Sequence, residues 1–178
     1  MEYLETPRLI LRLWKPEDID PFHALCSDPE VMEYFPSTLS KEETIAFIER
    51  LKANQKKDGY SFMACERKDT GEFVGFVGLS YFTHPTHFSP CVEVGWRLAK
   101  KHWGHGFAPE ASRAVVDYAF QSLKVSEVVA MTAVENWKSR RVMEKIGMTY
   151  NSADDFDHPK VADGHPLKRH VLYRIKPS

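Results

Sequence analysis

Two glycines carry the first chemical signal in this chain. In Leu98-Ala99-Lys100-Lys101-His102-Trp103-Gly104-His105-Gly106-Phe107-Ala108-Pro109-Glu110-Ala111 a strand-like segment ends, glycines follow at a spacing of two, and a helical pattern begins. Glycine allows positive φ and lets a ligand approach the backbone closely. The first-turn amides of a helix point unpaired N–H groups outward, and the helix dipole favours an anion there. Pro109 costs that turn no hydrogen bond, because a first-turn residue has no donor role to lose. The stretch therefore has the chemistry of a phosphate or pyrophosphate site, with Lys101 as a nearby charge partner. A plain left-handed turn between strand and helix would use the same glycines. No Gly-Lys-Ser/Thr follows, so the loop is not a Walker A sequence, and no third glycine completes a dinucleotide GxGxxG.

Eight histidines raise the question of a metal. His84-x-x-His87 with Cys91, and His102-x-x-His105, have tolerable spacing. Zinc wants four ordered ligands, and no second pair of cysteines supports either group, so no metal is expected.

The elements that must position the glycine loop read as follows. Leu9 to Trp14 is a short strand, stopped by Pro16. Pro16-Glu17-Asp18, Asp28-Pro29-Glu30 and Ser40-Lys41-Glu42-Glu43 read as helix starts, the last with Ser40 and Glu43 at capping-box positions. Tyr60–Glu66 and Glu72–Tyr81 read as strands joined at Asp69-Thr70-Gly71. Val92, Val94, Trp96 and Leu98 alternate onto one face of a further strand. A helix is expected from about Phe107 to Leu123, a strand at Val128–Val134, a short helix at Trp137–Ile146 closed by Gly147, and a last strand at Val171–Ile175. Asn151 to Pro166 reads as a loop. The order predicts a mixed α/β pattern in one domain spanning residues 1–178.

Composition sets outer limits. The chain has 178 residues, 24 basic and 25 acidic, for a net charge of -1. That balance argues against duplex nucleic acid or an anionic membrane as a partner held by bulk electrostatics. Cys26, Cys65 and Cys91 are an odd, scattered set, as expected of reduced thiols. Met1-Glu2-Tyr3-Leu4-Glu5 has no apolar signal-peptide core, and the longest apolar run, Phe73–Leu79, is far short of the about 20 residues of a membrane span. A cytoplasmic protein is expected, as monomer or homodimer.

Lys101-x-x-Gly104-x-Gly106-Phe107-Ala108 resembles the Q/R-x-x-G-x-G/A pyrophosphate loop of the GNAT superfamily of acyl-CoA-dependent N-acyltransferases. Lysine replaces the usual Gln/Arg, which keeps the charge and loses the bidentate fork. Asn136 to Met148 resembles the family's N-x-x-S-x-x-x-x-E-K-x-G-F stretch. Thr6-Pro7-Arg8-Leu9-Ile10-Leu11-Arg12 and Asp28-Pro29-Glu30-Val31-Met32 resemble the branch of ribosomal-protein alanine and serine N-acetyltransferases. The similarity covers nearly the whole chain. It implies a single-domain α/β (α+β) fold, with a mixed sheet of about six to seven strands flanked by about four helices. It further implies direct transfer of an acetyl group from acetyl-CoA to a primary amine in a ternary complex, the acceptor being a peptide or protein N-terminus or a small amine. A non-catalytic acyl-CoA sensor on the same scaffold is the alternative.

The resemblance also assigns roles. Glu93 is implied as the base that takes the amine proton through water, although it could simply pair with Arg97 on the same strand face. Trp96 and Leu98 are implied to contact the cofactor through backbone groups, with Gly95 marking either a close backbone approach or packing space under an aromatic. Lys101, Gly104, His105, Gly106, Phe107 and Ala108 are implied to form the pyrophosphate loop. Asn136 would bond the pantetheine amide, cap the helix, or both, and Lys145 would reach a CoA phosphate or end its helix as a solvated lysine. The position seven residues after Asn136, where many members keep an acidic tyrosine, is Met143, so Ser139 is the expected donor to the thiolate. Tyr34, Phe35, Tyr81 and Phe82 are candidate walls of the amine pocket or else satellite core at element ends, His84 either orients the acceptor or is plain loop surface, and the Phe156–His170 segment is a candidate lid. Lys100, Lys101, Lys138, Arg140, Arg141 and Lys145 would make the cofactor side basic.

Overall fold

A computed structural model describes residues 1–177. The strands are β1 (Tyr3–Glu5), β2 (Leu9–Arg12), β3 (Phe62–Arg67), β4 (Phe73–Phe82), β5 (Cys91–Leu98), β6 (Val128–Ala133), β7 (Thr149–Tyr150), β8 (Phe156–Asp157) and β9 (Arg169–Ile175). The α-helices are α1 (Ile19–Cys26), α2 (Lys41–Asp58), α3 (Phe107–Gln121) and α4 (Trp137–Lys145). One sheet runs β1-β2-β3-β4-β5-β6-β9-β7, with β8 also on β9. The mixed α/β architecture and four helices match the sequence reading. The sheet is wider than expected because β1, β7 and β8 are two or three residues long, too short to show a period.

Local signals place several boundaries. Ser40 accepts from the Glu43 amide while the Glu43 carboxylate accepts from the Ser40 amide, so the capping box starts α2. Gly59 ends that helix at φ +79°. Asp28-Pro29-Glu30 does not start a helix. The Asp28 carboxylate accepts from the Glu30 amide at 2.9 Å, and turns fill 29–34. A side chain that bonds the backbone two residues on competes with helix formation.

The two sheet faces carry different cores. On one, α3 and α4 cover a core that includes Val77, Leu79, Val94, Leu98, Val115 and Met143. On the other, α1 and α2 cover Trp14, Phe22, Ile48, Ala64 and Phe76. A smaller cluster, Val129, Phe156 and Leu172 with Phe88 and Cys91, lies beneath the segments around 88 and 156. Alternation along β5 sends Val92, Val94, Trp96 and Leu98 to the α3/α4 face, as the sequence indicates, and Glu93, Gly95 and Arg97 to the other.

The sheet opens at one place. β5 pairs with β4 over all eight of its residues, but its parallel partner β6 meets it only at Glu93–Val129. The Ala99 amide donates to Val74 O, so alternation along the antiparallel ladder turns the amides of 97, 95 and 93 toward β4. Those of Val94, Trp96 and Leu98 point the other way; Val94's meets Val129 in the single β5–β6 bridge, and those of Trp96 and Leu98 face the gap. Gly95 makes no bulge. A Cβ there would stand 2.9 Å from the Phe62 ring, so its bareness makes packing space under an aromatic.

Candidate active site

The glycine loop adopts the backbone its sequence suggests. Gly104 and Gly106 have φ of +77° and +79°. Gly106 is the N-cap of α3 and offers no side chain, so the amides of Phe107 and Ala108 remain unpaired. The loop is held from outside by the N-terminal strand segment. Thr6 Oγ1 donates to Glu110 Oε1 at 2.6 Å, the Arg8 amide donates to the same oxygen at 2.9 Å, and Arg8 Nε donates to Oε2 at 2.6 Å. Arg8 Nη1 donates to the His105 carbonyl at 2.9 Å, and its guanidinium lies 4.7 Å from the Phe107 ring centroid. Arg8 thus ties the His105 carbonyl of the loop to the N-terminal strand segment. The Thr6-Pro7-Arg8 motif was visible in the sequence; its partner, about a hundred residues away, was not.

The basic side is less free than the sequence suggests. Lys101 pairs with Glu72 and Lys100 with Glu30. Lys138 rests 4.4 Å over the Trp103 ring, bridging α4 and the glycine loop. Arg140 is buried, donating to Tyr173 Oη at 3.3 Å and Val134 O at 3.1 Å. Only Arg141 and Lys145, of the six, make neither an ion pair nor a ring contact among the described residues, and both are exposed.

Asn136 caps α4. Its Oδ1 accepts from the Ser139 amide at 3.2 Å and its Nδ2 donates to Thr132 Oγ1 at 2.9 Å, so one amide hydrogen is left for a ligand. Ser139 lies in the first turn of α4, part-exposed, with its hydroxyl unengaged. Met143 is buried in the α3/α4 core, so no acid stands at that position.

Glu93 sits where β5 and β6 part. Burial pushes its carboxyl up to about 7, opposed by the charge of Lys160, and no side-chain hydrogen bond holds it. Arg97 is not its partner; that guanidinium donates to Cys26 Sγ instead. Around Glu93 the second face supplies rings. Phe82 lies 5.3 Å from His84 and 6.3 Å from His158, and His158 lies 4.8 Å from His170. Burial lowers all three histidines, His158 to about 4, which leaves them neutral at pH 7. His84 is therefore in the cleft. Tyr81 is not. It pairs with Val92, on the opposite face from Glu93, and is 46% exposed, whereas Phe82 pairs with Cys91 on Glu93's face. Phe35 lies over Arg97, its ring centroid 4.1 Å from the guanidinium carbon, and the Tyr34 phenol pKa is raised by burial, then by Glu33, with a smaller push from Glu135 just before α4. The sequence does not mark His158, Lys160 or His170 as site residues, since nothing in the period or spacing of 158–170 singles them out, and Arg97 stands out there only as a partner for Glu93. No group of three or more His, Cys, Asp or Glu among the described residues is arranged to hold a metal.

An open mixed sheet, parted at an acid, beside a glycine loop at a helix start defines a class. Residues 8–149 match the acetyltransferase (GNAT) domain, and the chain belongs to this family of acyltransferase enzymes. The uncharacterized N-acetyltransferase YoaA of Bacillus subtilis is 33% identical over 177 residues, 98% of this chain and 97% of that one. A GNAT-family acetyltransferase structure from Bacillus anthracis superposes with a TM-score of 0.80 at 26% identity, covering 98% of both chains. RimL, a ribosomal α-N-protein acetyltransferase solved with coenzyme A, shares the fold at 15% identity, with a TM-score of 0.79 over 98% of both chains.

Proposed function

We propose that the protein moves an acetyl group directly from acetyl-CoA to a primary amine in a ternary complex. The observation that carries this reading is the parted β5–β6 pair with a raised-pKa glutamate at its apex. Backbone groups of Trp96 and Leu98 in the gap suit the amide-rich pantetheine arm. The loop from Gly104 to Ala108 suits the pyrophosphate, with Arg8 and Glu110 fixing its backbone. Lys145, exposed, suits an outer phosphate, whereas Lys101 must first leave Glu72.

Glu93, half protonated near neutrality, takes a proton from the incoming ammonium directly or through one water. The Trp96 amide, the first free donor past the β5–β6 bridge, is positioned to donate to the thioester oxygen as it gains charge. Ser139 donates a hydrogen bond to the leaving sulfur; a hydroxyl is too weak an acid to transfer its proton fully. Phe82, His84 and Phe35 wall the acceptor side, with Tyr34 at its margin. The RimL likeness adds protein N-termini to the acceptor panel. The free thiols Cys26, Cys65 and Cys91 accord with a reducing, cytoplasmic setting, and no described helix is long and apolar enough to cross a membrane.

The test is a mass-detected screen of Ser- and Ala-initiated peptides, polyamines and aminoglycosides with acetyl-CoA. Acetylation of any amine, lost in Glu93→Gln, supports the reading. Tight CoA binding with no transfer across the panel supports a sensor instead.

A further inference from the structure

Arg97 is a cation without an anion. It lies on the same face of β5 as Glu93, four residues on, and is only 8% exposed. Its guanidinium carbon stands 4.1, 5.4 and 5.6 Å from the ring centroids of Phe35, Phe76 and Phe47. Nη1 donates to Cys26 Sγ at 3.3 Å, and Nε is sealed from solvent with no partner. Nη2 has no partner either, but it is not sealed. No carboxylate pairs with this group among the described residues. Cys26 does not supply the charge, because burial raises its thiol pKa more than Arg97 lowers it. A guanidinium keeps its proton, so the charge remains. Rings offset part of its desolvation, but a buried cation with unmet donors costs more than an apolar side chain of the same volume would. The outer wall is Phe35, 38% exposed, in the turn-rich segment between α1 and α2.

We propose that Arg97 binds a carboxylate of the acceptor, beneath Phe35, while the acceptor's amine lies at Glu93. The proposal rests on the acetyl-transfer reading and narrows its substrate. Four residues of strand separate the two Cα atoms by about 13 Å, and a hydrogen bond of about 3 Å at each end leaves roughly 7–10 Å between amine and carboxylate. An α-amino acid is too short. A chain of about six to eight bonds fits, as in a long ω-amino acid or a short peptide. Between the two ends, bare Gly95 lets the part-exposed Phe62 ring form an apolar floor for the connecting chain.

The test compares ω-aminobutanoate, ω-aminohexanoate and ω-aminooctanoate with alkylamines of equal length, in the wild type, Arg97→Met and Arg97→Lys. The expected result is a KM for ω-aminohexanoate about tenfold or more below that of hexylamine, since hydrogen bonds to charged groups are strong. Aminobutanoate should gain little. In Arg97→Met the acid's KM should rise to meet hexylamine's, with kcat/KM for hexylamine within about twofold of wild type. Arg97→Lys should recover part of the preference. Equal KM values in the wild type, or a Met variant that impairs acid and amine alike, would overturn the proposal. The wild-type ratio decides even if the Met variant does not fold. Calorimetry of the same probes with wild type and Arg97→Lys separates the two readings. Acid binding that weakens in the lysine variant, with no transfer to any amine, keeps the anion site and removes acetyl transfer. Transfer to hexylamine with no preference for the acid removes the anion site alone.

Discussion

The two sides of the central sheet solve opposite problems. On the α3/α4 side the proposed cofactor site is mostly backbone: the amides of Phe107 and Ala108, and the strand groups of Trp96 and Leu98 in the gap. The side chains nearest it are already engaged with one another, Arg8 with Glu110, Lys101 with Glu72 and Asn136 with Thr132. On the α1/α2 side the proposed acceptor site is nearly all side chain. Its charged groups are left wanting, Glu93 with no hydrogen bond and Arg97 with a thiol for company. A backbone site is insensitive to side-chain identity and fits one unvarying cosubstrate. A side-chain site can be rewritten without disturbing the sheet, and the proposed acceptor specificity rests on its unmet groups.

The sharpest break in that contrast is Glu93→Gln. Losing general-base help should lower kcat by about a hundredfold or more, with acetyl-CoA affinity unchanged, as read by single-turnover rates and calorimetry. Wild-type kcat should rise with pH through about 7, where Glu93 sheds its proton, and the variant should lack that rise.

The same substitution should act on stability with the opposite sign. Glu93 has a native pKa near 7 against an ordinary 4.5, so between these values the folded chain holds a proton that the unfolded chain has lost. Stability from this group is complete below about pH 4.5 and is lost as pH rises through about 7. Glu93→Gln should therefore be more stable than wild type at pH 8, by about 1–3 kcal/mol, with the difference vanishing at pH 4. Urea titrations at both pH values measure it. An equal difference at both would place the effect in packing rather than in charge.

Changes on the cofactor side should be gentler. Arg8→Ala frees the His105 carbonyl and the loop, and should weaken acetyl-CoA binding about tenfold while leaving acceptor KM alone. A matching rise in acceptor KM would mean that the two sides are not separable. Asn136→Ala removes the α4 cap and should cost about 1 kcal/mol in thermal or denaturant stability. Its acetyl-CoA affinity should fall by a few-fold at most, because the side chain's main bonds are internal.

Legibility divides along the same line. The glycine loop, the Ser40–Glu43 box, the Asn136 cap and the alternation of β5 could all be read directly, each depending on residues within a turn or a strand of one another. Lys101 precedes the loop and looks like a phosphate partner, but Glu72, from the turn before β4, holds it, which sequence adjacency does not reveal. Its position at a strand end makes Tyr81 look like a cleft residue. The pairing Ser80–Glu93 fixes the parity there, and parity turns Phe82 inward and Tyr81 out. Arg97 has an apparent partner four residues away on its own face, Glu93, with Gly95 between them. The Phe62 ring from β3 lies over Gly95 between them, and α1 delivers Cys26 instead.

The sequence by itself determined the elements and the family, and with them the shape of the glycine loop. These follow from backbone preferences and capping bonds that act within a few residues. Only the tertiary structure decided which side chains share a face. Glu93 gained its raised pKa, His158 and His170 their neutrality, and Arg97 its isolation from segments many residues apart in the chain. Desolvation and cross-strand register depend on what packs on top, and no local pattern in the chain encodes that.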